Sequence, residues 1–94
     1  MAEIEVGQET ETATHWAYSV RVFADGRTHD FSVTLGFQDY DLWSRGRAAP
    51  SRVAEACFEF LLAREGVEDI SPKFDCSVIR RYFPDVDAEL PKML

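Results

Sequence analysis

The chain lacks any run near the ~18 consecutive apolar residues that a membrane-crossing helix requires. Its first residues also lack the basic stretch and apolar core of a secretory signal, so a cytoplasmic setting is expected. Histidine is limited to His15 and His29 and cysteine to Cys57 and Cys76, with no zinc-motif spacing among them. Without an export signal, the two cysteines, each in apolar company, read as buried free thiols rather than a disulfide. No G-x-G-x-x-G and no P-loop occurs, and Ser51 sits in no G-x-S-x-G elbow. We therefore expect no metal, no cofactor and no catalytic residues, and the chain leans away from being an enzyme.

Basic residues are missing from the first fourteen positions, which carry Glu3, Glu5, Glu9 and Glu11. These four supply −4 of a net charge of −7. An acidic surface repels phosphate, so nucleic-acid binding is disfavoured. Low in bulk and rich in Glu and Thr, residues 1–14 read as a flexible tail, with a short edge strand over 3–6 as the alternative.

What is present is a body of 94 residues with seven Phe, two Trp and three Tyr, an ample stock of core fillers. That length suits one compact domain, here expected over residues 15–94. Trp16, Tyr18, Val20 and Val22 alternate with small or polar residues, and so do Phe31, Val33, Leu35 and Phe37. Alternation with aromatic and branched side chains predicts strands over about 16–23 and 30–38. Between them Asp25-Gly26 favours a two-residue hairpin turn, because both central positions need positive φ. That turn would place Val20 opposite Phe31, Tyr18 opposite Val33 and Trp16 opposite Leu35. It also sets Arg21 across from Asp30, and a slip by one residue would destroy every apolar pair.

A helix is predicted over about 51–65, with Ser51 as its cap and Gly66 as the left-handed residue that ends it. Ala54, Cys57, Phe58, Leu61 and Leu62 share one side, with Val53 and Phe60 at its margins and Arg52, Glu55, Glu59 and Ala63 on the other. Residues 75–83 mix two periods. A second helix is expected there, capped by Asp75 and stopped by Pro84, although Phe74, Cys76 and Val78 also alternate as a strand would. The fold class is α+β: a small antiparallel sheet built on the hairpin, packed on the 51–65 helix. Two strands make a marginal sheet, so a third is expected from the N-terminus, from 40–43 or from a second subunit.

The segment from Asp39 to Arg47, DYDLWSRGR, holds the candidate sites. Continued strand geometry would put Asp39 and Asp41 on one side, a weak D-x-D signal for a hard cation. Arg45, Arg47 and Arg52 form an acid-free basic stretch that leads into the helix start at Ser51. Two-pronged guanidinium groups near a helix N-terminus suit a phosphate- or carboxylate-bearing ligand. Tyr40 and Trp43, beside Arg45 and Arg47, have the chemistry of protein-partner anchors; Trp43 equally suits a lid on the core.

A strand, an Asp-Gly turn, a second strand and a Gly-containing loop leading into "AEA" on a helix resemble the HicB-type antitoxin domain. The resemblance covers Tyr18 to Leu62 and implies a non-catalytic protein partner for a small toxin. Here the stretch from Gly46 to "VAEA" is longer than in that family, and no residue role carries over. The expected function is a small non-enzymatic protein-interaction or regulatory domain. The alternatives are an anion-binding module at Arg45, Arg47, Ser51 and Arg52, or that antitoxin-type partner. A homodimer through a sheet edge is also open.

Overall fold

The computed structural model describes residues 2–94. It is an α+β fold with a four-stranded sheet in the order β1-β2-β3-β4. The strands are β1 (Glu3–Glu11), β2 (His15–Ala24), β3 (Arg27–Gly36) and β4 (Lys73–Asp75). β1–β2 and β2–β3 are antiparallel, while β3–β4 is parallel. The helices are α1 (Phe37–Ser44), α2 (Pro50–Leu62), α3 (Ile79–Tyr82) and α4 (Val86–Glu89), with 3-10 turns at Val67–Asp69, Cys76–Val78 and Leu90–Met93.

The hairpin has the predicted register. Val20 pairs with Phe31, Tyr18 with Val33 and Trp16 with Leu35. Asp25 and Gly26 adopt φ of 55° and 73°, as the turn demands. Arg21 meets Asp30 at 3.0 Å, but both side chains are more than half exposed, so the pair adds little stability.

The flexible tail is corrected: residues 3–11 form β1. Ile4 pairs with Val22 and Val6 with Val20, so its two apolar side chains extend the hairpin's inner face. The register then shifts between Val6 and Glu9. A Cβ at Gly7 would come within 3.2 Å of the Ser19 carbonyl, which suits glycine at this irregularity. Beyond it Glu9 accepts a hydrogen bond from the Tyr18 hydroxyl at 2.6 Å, and Glu11 one from Trp16 Nε1 at 3.1 Å. A polar segment becomes a strand because a preformed neighbour supplies both its ladder and its side-chain partners.

The second strand ends at Gly36, not at 38, and residues 37–44 are helical rather than extended. Phe37, Tyr40 and Trp43 recur at helical spacing, and coiling brings Trp43 fully inside. The helix ends in a left-handed step at Arg45 and Gly46, with φ of 50° and 76°.

α2 starts one residue before the predicted limit. Ala49 is its cap and Pro50 its first residue, so Ser51 caps nothing. Gly66 has φ −72° and opens a 3-10 turn, Val67–Asp69, instead of ending the helix in a left-handed step. The buried side is the predicted one with its margins at Val53 and Phe60, and it adds Ala56. It lies on the sheet, with the Phe31 and Phe58 rings 5.1 Å apart.

The expected helix over 75–83 is corrected to three short pieces. Lys73–Asp75 is β4, Cys76–Val78 is a 3-10 turn and Ile79–Tyr82 is one turn of α-helix. Neither period holds throughout: of the alternating Phe74, Cys76 and Val78 only Phe74 lies in a strand, and the helical part is the single turn Ile79–Tyr82. Asp75 does cap the turn, accepting from the Ser77 amide at 3.0 Å. α4 and the following 3-10 turn, Leu90–Met93, bring Val86 and Leu90 wholly into the core.

Candidate functional site

The sequence drew attention to DYDLWSRGR, and the fold turns its centre, Trp43 and Ser44, inward while Asp41, Leu42, Arg45, Gly46 and Arg47 stay exposed. Trp43 has no exposed surface. Its Nε1 donates to Asp87 Oδ1 at 2.8 Å, and Arg80 Nη2 reaches Asp87 at 3.0 Å and Asp39 at 2.9 Å. Arg80, through hydrogen bonds to Asp87 and Asp39, is thereby held charged more firmly than an ordinary arginine. Arg80 also pulls the Asp87 carboxyl below its usual range, and the Trp43 hydrogen bond adds to this. Asp39 is thus the partner of Arg80 rather than half of a cation site, and no group of three metal-ligating side chains converges among the described residues.

Tyr40 is half-buried; its hydroxyl donates to the Ala48 carbonyl at 2.5 Å, and its ring lies 5.1 Å from that of Trp16. Arg52 bonds Glu55 at 2.7 Å and Glu59 at 3.1 Å, and also the Met93 carbonyl. Its charge is therefore answered inside the chain. Arg45 and Arg47 remain exposed and in no ion pair among the described residues, although Arg47 Nε donates to the Ser44 carbonyl. So the structure gathers neither predicted set: Trp43 presents no surface beside Tyr40, and Arg52 is engaged away from Arg45 and Arg47.

The two histidines lie on opposite faces of the sheet. His29 pairs with Val22 on the helix side, and its buried Nε2 has no hydrogen-bond partner. His15 lies on the other face, between the Thr12 and Thr14 hydroxyls. Cys57 and Cys76 are free and buried. A hydrogen bond with Cys57, then burial, pushes the Cys76 thiol well above its ordinary range, so it is no ready nucleophile.

The helices cover one face of the sheet and leave the other open. On that open face Ser19, Arg21, Ser32 and Asp30 are exposed, and a shallow trough runs from Thr10 across Ala17 and Thr34 to Lys73. At its far side Asp75 accepts from Thr34, Ser77 Oγ and the Ser77 amide. Burial alone would raise this carboxyl, but those hydrogen bonds outweigh it and hold it low.

The first strand forms a free edge. In a two-residue hairpin the residues flanking the loop are a hydrogen-bonded pair, so Val22 and Val20 bond towards β3 while Phe23 and Arg21 bond towards β1. Glu3 and Glu5, their partners, turn their backbone inward, and Ile4 and Val6 turn theirs outward. Past the register shift the Thr12 amide donates to the His15 carbonyl at 2.8 Å, which leaves Glu9 and Glu11 facing outward. Sequence reasoning offered this strand only as the alternative to a tail, and only over 3–6, because residues 3–11 show little hydrophobic patterning beyond Ile4 and Val6. None of Glu3, Glu5, Glu9 and Glu11 is in an ion pair among the described residues.

No protein-family model, no curated protein and no solved structure matches this chain. The HicB-type resemblance thus stands on the hairpin and helix residues alone, and α1 occupies what that pattern would leave as a loop.

Proposed function

We propose that this protein is a non-enzymatic interaction domain that accepts a strand of its partner along the free edge of β1. The observation that carries the reading is a nine-residue edge strand whose outward amides and carbonyls, at Ile4, Val6, Glu9 and Glu11, have no backbone partner among the described residues. Four glutamates with no cation beside them among the described residues select the partner's charge, Glu9 and Glu11 being held only by neutral donors. A strand rich in Lys or Arg gains from them, whereas a second copy would set carboxylate against carboxylate. The same charge argues against nucleic acid as the partner. An antitoxin-type role is one form of this reading. Two buried, unbridged thiols support work in the reducing cytoplasm.

Val6→Pro tests the idea. Proline removes an outward amide and blocks an incoming strand, yet leaves the β2 ladder intact. The probe is a blocked peptide of alternating Lys and Val, with a Glu-for-Lys counterpart as control. The Lys peptide should slow hydrogen exchange at the Ile4 and Val6 amides of the parent protein and not bind the Val6→Pro variant. Unchanged exchange at millimolar peptide would remove the reading, and concentration-dependent dimerisation of the free protein would replace it with self-pairing.

The anion-ligand alternative keeps only the free charges of Arg45 and Arg47 in its support. Phosphate titration followed at the amides of residues 45–53 decides it, and absence of shifts there ends it.

A further inference from the structure

A cleft of about 260 Å³ lies at the edge of the sheet opposite β1, between the end of α2, the Val67–Asp69 turn and α3. Its walls are Leu61, Ile70, Phe74, Ile79 and Phe83. Leu61, Ile70 and Ile79 are core residues, so the opening leads directly onto the apolar interior. Beside it stands Tyr82, 74% exposed and the most exposed large apolar side chain among the described residues. An aromatic left in water at the mouth of an apolar hollow has the character of a contact residue rather than a packing one.

Two carboxylates, Glu65 and Asp69, border the cleft. Burial pushes the Glu65 carboxyl up, and the nearby Asp69 charge adds to the effect. No cation answers either group among the described residues. The nearest in sequence, Arg64, is spent elsewhere: it pairs with Asp85 at 3.1 Å, donates to the Phe60 carbonyl and lies 3.5 Å over the Phe60 ring. The rim therefore carries uncompensated negative charge over an apolar floor.

Size decides what kind of occupant fits. Small-molecule and cofactor sites run to roughly 300–1,000 Å³ and enclose most of their ligand. This cleft is smaller and open on one side, on the scale of a single large side chain. We propose that it is a docking site for a partner polypeptide segment that inserts one bulky apolar side chain and places an adjacent Lys or Arg against Glu65 and Asp69. The cation also gains the face of the Tyr82 ring. This site does not depend on the β1 edge and lies at the other side of the sheet.

The probe is the blocked tetrapeptide Gly-Phe-Lys-Gly, compared with Gly-Phe-Glu-Gly and Gly-Ala-Lys-Gly, followed by amide shifts of the full chain. The Phe-Lys peptide should give saturable shifts across residues 61–70 and 79–83. The Glu peptide, which sets repulsion in place of an exposed charge pair, should bind at least about three- to fivefold more weakly. The Ala peptide should lose most of its affinity. In the double variant Glu65→Gln, Asp69→Asn the preference for Lys should vanish while that for Phe persists. The Val6→Pro protein should bind the tetrapeptide normally, which separates this site from the edge. Absence of shifts at those residues at ten millimolar peptide, or equal binding of the Lys and Glu peptides to the parent protein, would overturn the proposal.

Discussion

Trp43 and Asp87, 44 residues apart in sequence, are joined by a hydrogen bond of 2.8 Å from the indole Nε1 to Oδ1. Around this bond Arg80 spans Asp87 and Asp39, tying α1 to the chain's final helices. The indole ring sits with no exposed surface, its polar tip just reaching a carboxylate that is itself 41% exposed. That arrangement satisfies the N–H while burying the large ring, and it converts the middle of DYDLWSRGR from a surface feature into a closure of the core.

Truncating Trp43 should therefore unfold the domain rather than weaken a surface contact. Trp43→Ala is expected to cost about 3–5 kcal/mol, a large part of the stability of a domain this size. Urea unfolding measures it. An unchanged midpoint would mean the indole is not in the core.

Acid should weaken the fold through Asp87 and Asp75, both held below the ordinary carboxylate value of 3.8. A depressed folded value gives stability that is complete above the unfolded pKa and is lost as pH falls through the folded one. Asp87→Asn should be less stable than the parent at pH 7 and match it at the lowest pH. The contribution is small because Asp87 is partly in water. Equal urea midpoints for the two proteins at pH 7 would contradict this.

Glu65 has the opposite sign. Its folded value is raised by burial, so ionisation there costs stability as pH rises through it. Glu65→Gln should stabilise at pH 7 and make no difference near pH 3, where both side chains are neutral. Thermal melts at the two pH values test the crossover.

The first strand should matter to folding. Ile4→Ala and Val6→Ala remove half-buried side chains that cover Val22 and Val20, at about 1–2 kcal/mol each. Deleting residues 2–11 should lower the melting temperature sharply. A tail without structure would show no effect from any of the three.

Arg45 sits at φ 50°, a left-handed conformation that a side chain tolerates poorly. Arg45→Gly relieves that strain, partly offset by added freedom of the unfolded chain, for a net gain of about 0.5–1 kcal/mol. Arg47→Ala, at an exposed position, should stay within about 0.5 kcal/mol of the parent. The pair of melts separates a conformational effect from one of charge.

The hairpin was legible because its information is local. Asp25-Gly26 sets the loop, and strict alternation on both sides sets the register, so Val20–Phe31 follows from arithmetic. α2 was legible for the same reason: the side from Val53 to Leu61 repeats with the helical period over several turns. The candidate site was much less so. Tyr40, Trp43, Arg45, Arg47 and Arg52 are neighbours in sequence, yet Tyr40 is held by the Ala48 carbonyl, Trp43 by Asp87, and Arg52 by Glu55, Glu59 and the Met93 carbonyl, while Arg45 and Arg47 stay exposed. Asp87 and Met93 stand more than forty residues from the side chains they engage, outside the window a motif can cover.

By itself, the sequence determined the elements whose hydrogen bonds and apolar faces lie close along the chain: the β2–β3 ribbon, its turn and the long helix that shields it. Only the tertiary structure decided that Glu3–Glu11 is a strand, that Lys73–Asp75 joins the sheet in parallel, and that Trp43 turns inward. Each of those segments is too short or too polar to hold its conformation alone. Each is ordered by a ladder or a buried surface contributed by residues elsewhere in the chain, and such contributions leave no local period to read.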